Sequence, residues 1–166
     1  MFAYEKAVLK TYRQTSVNIK NLSSAIIKGA QGSFHSKKSA KDLAEELLQL
    51  VNDKNELDGL KLAVQKTLSE MKPCHAYLLC VKYGVGKYAK EKPFDKTNGY
   101  YRKAAYALGK FAQGMKSLGY TPEVYQNICA RFEYIGQSYE RFKKFEEKVY
   151  NCGNLKVNGK NLIPKK

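Results

Sequence analysis

The stretch YYRKAAYALGKFAQGMKSLG sets Tyr101, Ala104, Leu108, Phe111, Met115 and Leu118 at steps of three and four. That period lines one face of an α-helix and cannot line one face of a strand, whose side chains alternate. The same period runs through most of the chain. Val8, Tyr12, Ile19, Leu22 and Ile26 predict a helix over residues 4–28, stopped by Gly29. GAQGSFHSKKS reads as a basic loop. Ser39 with Asp42 three residues on forms an N-cap signature, followed by the stripe Leu43, Leu47, Leu50 and Val51. Leu57, Leu60, Val64, Leu68 and Met71 mark a third helix. Pro73 suits the first turn of a fourth, where a missing N–H costs nothing, with Cys74, Tyr77, Leu78 and Val81 facing inward up to Gly84. The fifth begins near Thr97 and stops at Gly119. Thr121, Pro122 and Glu123 open the last, and Val124, Ile128, Ile135, Tyr139, Phe142 and Val149 carry it to about Tyr150.

The fold class that follows is all-α: a single-domain bundle of about six helices over residues 1–150. Residues 151–166 form either a short basic tail or a small hairpin turning at Asn158-Gly159. A chain of 166 residues with 43% hydrophobic content is long and apolar enough to bury a core. There is no run of 18 apolar residues, and the first residues carry charges where a signal peptide is apolar, so a cytoplasmic protein without a membrane partner is expected. Cys74, Cys80, Cys129 and Cys152 form no CxxC pair and read as free, mostly buried thiols.

Charge narrows the partners. Thirty Lys and Arg against fifteen Asp and Glu give a net +15, which draws a protein toward DNA or another polyanion. The excess is segregated. Residues 1–41 hold eight basic groups and one acid, residues 42–71 three and seven, and residues 82–116 nine and two. A basic face with an acidic segment elsewhere fits this distribution, and so does a generally basic surface.

Chemistry is harder to find. His35 and His75 are far apart, and neither has a ligand-type neighbour one helical turn away. Cys74 and His75 are adjacent, so on a helix their side chains diverge. YGVGK lacks the four-residue spacing and the Lys-Ser/Thr of a phosphate loop. The acidic group Asp42, Glu45, Glu46, Asp53, Glu56 and Asp58 lacks the Glu-x-x-His pattern of a di-metal bundle. Neither an enzyme nor a cofactor is implied.

The segment KPFDKTNGYYRKAAYALGKFAQG, residues 92–114, supports two readings. Its Ala/Leu/Phe seam belongs in a core, while Lys96, Thr97, Asn98, Tyr100 and Arg102 stand at one exposed end. Such an end suits a recognition helix, whose first turns enter the major groove while Arg and Asn pair with base edges and lysines neutralise phosphate. Residues 68–120 resemble region four of bacterial sigma factors and the related helix-turn-helix proteins of phages and Firmicutes. Leu78, Leu79, Tyr83 and Gly84 match the "LLxxxYG" end of that family's first helix. Ala107, Leu108, Lys110 and Phe111 match the close of its recognition helix. Pro93 interrupts the segment where the family has its scaffold helix, so a helix-turn-helix over residues 84–119 would be degenerate. The resemblance implies a DNA-binding transcriptional regulator. It puts base-edge contacts near Thr97, Asn98, Tyr100 and Tyr101, with Arg102 and Lys103 on bases or phosphates and Lys87, Lys90, Lys92 and Lys110 on phosphates. Periodicity, by contrast, turns Tyr101 inward. A helical module docking an acidic protein partner through its tyrosine-rich last helices is the alternative, and an enzyme of helical fold stands third.

Overall fold

The computed structural model of the chain describes residues 2–32, 38–86 and 99–158. Among the described residues six helices follow in order: α1 (Ala3–Gly32), α2 (Ala40–Glu70), α3 (Pro73–Tyr83), α4 (Tyr100–Ser117), α5 (Pro122–Arg131) and α6 (Glu133–Asn158). Among the described residues there is no strand, and no helix is long and apolar enough to cross a membrane.

Punctuation residues set most of the boundaries. Ser39 caps α2, its hydroxyl accepting from the Asp42 N–H at 3.1 Å. Pro73 opens α3, and Gly84 closes it in the left-handed region at φ 72°. Gly119, at φ 90°, turns the chain after α4. Thr121 then caps α5 ahead of Pro122.

Five expectations about the helices need correction. The first helix does not stop at Gly29 but runs to Gly32. The second and third helices are one, α2. The polar run between Val51 and Leu57 holds no helix breaker, and Gln49–Asp53 and Lys54–Asp58 contacts bridge it one turn apart. The last helix is broken at Phe132, which leaves the helical region at φ −116°, ψ 92°. Its N–H still closes α5 on the Ile128 carbonyl at 2.8 Å, while its own carbonyl accepts from Ile135 and Gly136 to start α6. The bend lets Ile128 and Ile135 both enter the core. Finally, α3 buries Leu79, Cys80, Val81 and Tyr83, so Cys74 and Tyr77 are exposed instead of facing inward. α6 also continues past Tyr150 to Asn158, and a turn through Gly159 lies outside the described residues.

α1 packs along both α2 and α6, α3 lies on α4, and α5 folds back on α6. Leu9, Leu57, Leu60, Val64, Leu79, Phe111, Met115, Ile128 and Ile135 fill the shared core. Buried threonines satisfy their hydroxyls locally or across helices. Thr11 bonds the Ala7 carbonyl, and Thr15 bonds the Thr11 carbonyl and the Tyr134 hydroxyl. Burial stops at Ile19 in α1 and starts at Leu57 in α2, so residues 20–32 and 40–52 contribute nothing fully buried. Gly29 meets Leu47 within that outer part, where an added Cβ would sit 2.9 Å from Leu47 Cδ2.

Cys74, Cys80 and Cys129 are free, but only Cys80 is buried; Cys129 is half-buried. Burial pushes the Cys80 thiol up and, with Glu140 nearby, the Cys129 thiol to about 11, so both stay protonated and unreactive.

Candidate nucleic-acid interface

α4 contains no acidic residue and four basic ones, Arg102, Lys103, Lys110 and Lys116. Its inner stripe is Tyr100, Ala104, Ala107, Leu108, Phe111 and Met115, all buried. The opposite face follows from helical geometry: Arg102, Tyr106, Lys110 and Gln113 succeed one another at steps of four, four and three, and all are exposed. From Arg102 to Lys116 this basic face runs about 21 Å at the helical rise.

The two tyrosines at the head of α4 are placed the opposite way from the expectation. Tyr100 is 8% exposed and Tyr101 58%. Tyr100 lies one turn before Ala104, at the centre of the inner stripe, whereas Tyr101 falls on its rim. Lys82 of α3 covers the Tyr100 ring at 5.7 Å, and Tyr101 meets it edge-on at 5.4 Å. Tyr100 is therefore a packing residue at the head of α4, and Tyr101 takes the exposed position. Arg102, Lys103 and Lys110 are exposed as expected. Lys87, Lys90, Lys92, Lys96, Thr97 and Asn98 lie outside the described residues, as does the segment that would hold a scaffold helix.

Among the described residues, none of the four α4 cations has a carboxylate partner. Several acids of α2 pair with cations elsewhere. Arg131 of α5 binds Asp53 at 2.5 Å and Glu56 at 2.6 Å, Lys54 binds Asp58 at 2.9 Å, and Lys38 pairs with Glu46. Asp53 and Glu56 thus serve the α2–α5 contact and form no ion pair with α4. Arg131 could not be singled out from sequence, because its partners are distant along the chain.

Tyr106, 56% exposed, is the other residue that sequence reasoning left out of the site. Lys110 lies over its ring at 5.8 Å, and His75 of α3 meets it edge-on at 5.2 Å, so the imidazole faces an aromatic ring and not the neighbouring Cys74. Its place one turn after Arg102 and one before Lys110 was the available signal. Tyr106 and Lys110 line two grooves at once and so form the crest between them. The smaller groove, about 270 Å³, runs toward Glu70, Lys72 and His75. The larger, about 600 Å³, runs toward the starts of α1 and α5.

Two groups beside the larger groove carry stability predictions. The Tyr125 hydroxyl is buried and has no hydrogen-bond partner among the described residues, an arrangement that costs about 1–3 kcal/mol. Tyr125→Phe should accordingly stabilise the protein by about 1 kcal/mol in denaturant melts; a loss of stability would mean that the hydroxyl has a partner in solution. Burial, reinforced by Glu146, pushes the Glu5 carboxyl up from its ordinary 4.5. Folding therefore favours protonated Glu5. That stability is fully present below 4.5 and is lost as pH rises through the elevated value. Glu5→Gln should raise the melting temperature more at neutral pH than at about pH 4.5. An equal change at both would remove Glu5 as the cause.

No protein-family model matches this chain, and no curated protein or solved structure is similar to it.

Proposed function

We propose that this protein binds nucleic acid, with duplex DNA as its partner and the exposed face of α4 as the contact. One observation carries the reading: α4 is free of acids, and its four cations have no carboxylate partner among the described residues. A charged surface left uncompensated in this way is suited to phosphates. Arg102 and Lys103 near the helix start can reach base edges or phosphates, and Lys110 and Lys116 can follow the backbone. Tyr101 and Tyr106 add exposed rings among these cations. A regulator of transcription that places α4 in the major groove is the role to which such a helix is suited.

The test is equilibrium binding of labelled random-sequence duplex DNA by fluorescence anisotropy, titrated from about 50 to about 200 mM salt. Binding whose logarithm falls steeply and linearly with the logarithm of salt is expected, with a slope matching several phosphates. Absence of binding at the lowest salt would overturn the proposal and leave the helical interaction module as the reading to pursue.

A further inference from the structure

Three segments far apart in sequence build the walls of the larger groove. Phe2 and Tyr4 come from the start of α1, Tyr106 from α4, and Tyr120, Pro122 and Tyr125 from the approach to α5. Six rings, five of them aromatic, surround about 600 Å³, a volume typical of small-ligand pockets. Part of this wall is set in advance. Tyr4 is stacked between Tyr125, at 5.2 Å and 7°, and Tyr139, at 4.1 Å and 5°, while Tyr120 leans on Tyr125 at 5.9 Å. A rigid aromatic wall loses little freedom when a flat ligand stacks on it.

The polar groups are unevenly placed. Lys110 and Lys116, two cations of the α4 face, also line this groove, so it opens directly onto the basic stripe. The single acid lining it among the described residues, Glu5, sits at the α1 side and disfavours a phosphate deep inside. An occupant must therefore be flat and aromatic where it enters, and anionic only where it meets the α4 lysines. A nucleotide of a polynucleotide has that division: a neutral base on a charged backbone.

We propose that the groove receives the base of an unpaired nucleotide while the flanking phosphates lie on Lys110 and Lys116. This rests on the nucleic-acid reading of α4 and adds to it a preference for strands that carry an unpaired base. Base–aromatic stacking contributes about 1–3 kcal/mol and tolerates any base, so the preference concerns unpaired structure and not sequence.

The experiment compares two duplexes of one sequence, the first fully paired and the second carrying one extra, unpaired 2-aminopurine. The bulged duplex should bind about tenfold more tightly, the lower-middle of the stacking range, with a change in 2-aminopurine fluorescence on binding. Tyr120→Leu keeps apolar bulk but removes a ring that the α4 face does not use. It should abolish both the preference and the fluorescence change while leaving paired-duplex affinity at the wild-type value, which also reports that the variant is folded. Equal affinity for the two duplexes overturns the base-binding groove and leaves the α4 reading standing. A preference that survives Tyr120→Leu overturns the groove as its location. Failure to bind either duplex overturns both proposals.

Discussion

Reversing two charges on α4, Lys103→Glu together with Lys110→Glu, should lower duplex DNA affinity about a hundredfold at low salt and flatten the salt dependence by about two units of log-log slope. Each lysine that neutralises a phosphate contributes close to one unit of that slope through released counterions, and each new carboxylate adds repulsion where attraction stood. The fold should not register the change. Both lysines are exposed and neither has a carboxylate partner among the described residues, so stability should stay within about 0.5 kcal/mol. A glutamate at position 103, in the first turn of α4, is even favourable to the helix dipole. An unchanged affinity would move the contact off α4. A changed affinity with an unchanged slope would mean that these lysines do not meet phosphates.

Replacing Gly136 by alanine should destabilise the protein by about 1–3 kcal/mol, a fall of several degrees in melting temperature for a chain of this size. The bend at Phe132 brings the first turns of α6 so close to the end of α5 that a Cβ at position 136 would lie 2.6 Å from the Cys129 carbonyl oxygen. That oxygen belongs to the backbone of a helix and cannot rotate away, so the bend must open and disturb Ile128, Phe132 and Ile135 together. Gly109 provides the contrast. Its added Cβ would meet only Phe2 Cζ, at an ordinary 3.7 Å, and Gly109→Ala within α4 should stabilise by about 0.5–1 kcal/mol because the unfolded chain loses freedom. The same substitution is thus expected to have opposite signs at two helical glycines. Gly136→Ala with wild-type stability, measured by thermal melts, would mean that the α5–α6 bend relaxes without cost.

Helix boundaries were legible where a cap, a proline or a left-handed glycine decides them, whereas Gly29 keeps helical geometry and does not stop α1. Ser39, Pro73, Gly84, Gly119, Thr121 and Pro122 all act where their backbone chemistry predicts. Two of the misplaced boundaries depend on contacts from elsewhere in the chain. Residues 51–57 look like a gap because they are polar, yet their acids face Arg131, and nothing in them breaks a helix. The break at Phe132 follows from where Ile128 and Ile135 must go, a tertiary requirement that the uninterrupted three-and-four period conceals. At the head of α4 the period was right and its phase wrong by one residue, enough to exchange Tyr100 and Tyr101. The exposure of Arg102, Lys103 and Lys110 on α4 followed from the helix period. The aromatic groove beside them could not, because Phe2, Tyr106 and Tyr120 approach one another only once six helices have packed.

The outer halves of α1 and α2 continue past the last core residues as a two-helix projection. Because stability is local as well as global, this projection should form its own cooperative unit. Amide hydrogens of residues 20–32 and 40–52 would exchange with solvent through separation of the pair alone, while those around Phe111 and Leu79 would wait for the whole molecule to unfold. The molecule is in this sense a stable body carrying a softer lever. A load or ligand that engaged the lever's tip could be accommodated there with little disturbance of the α4 face.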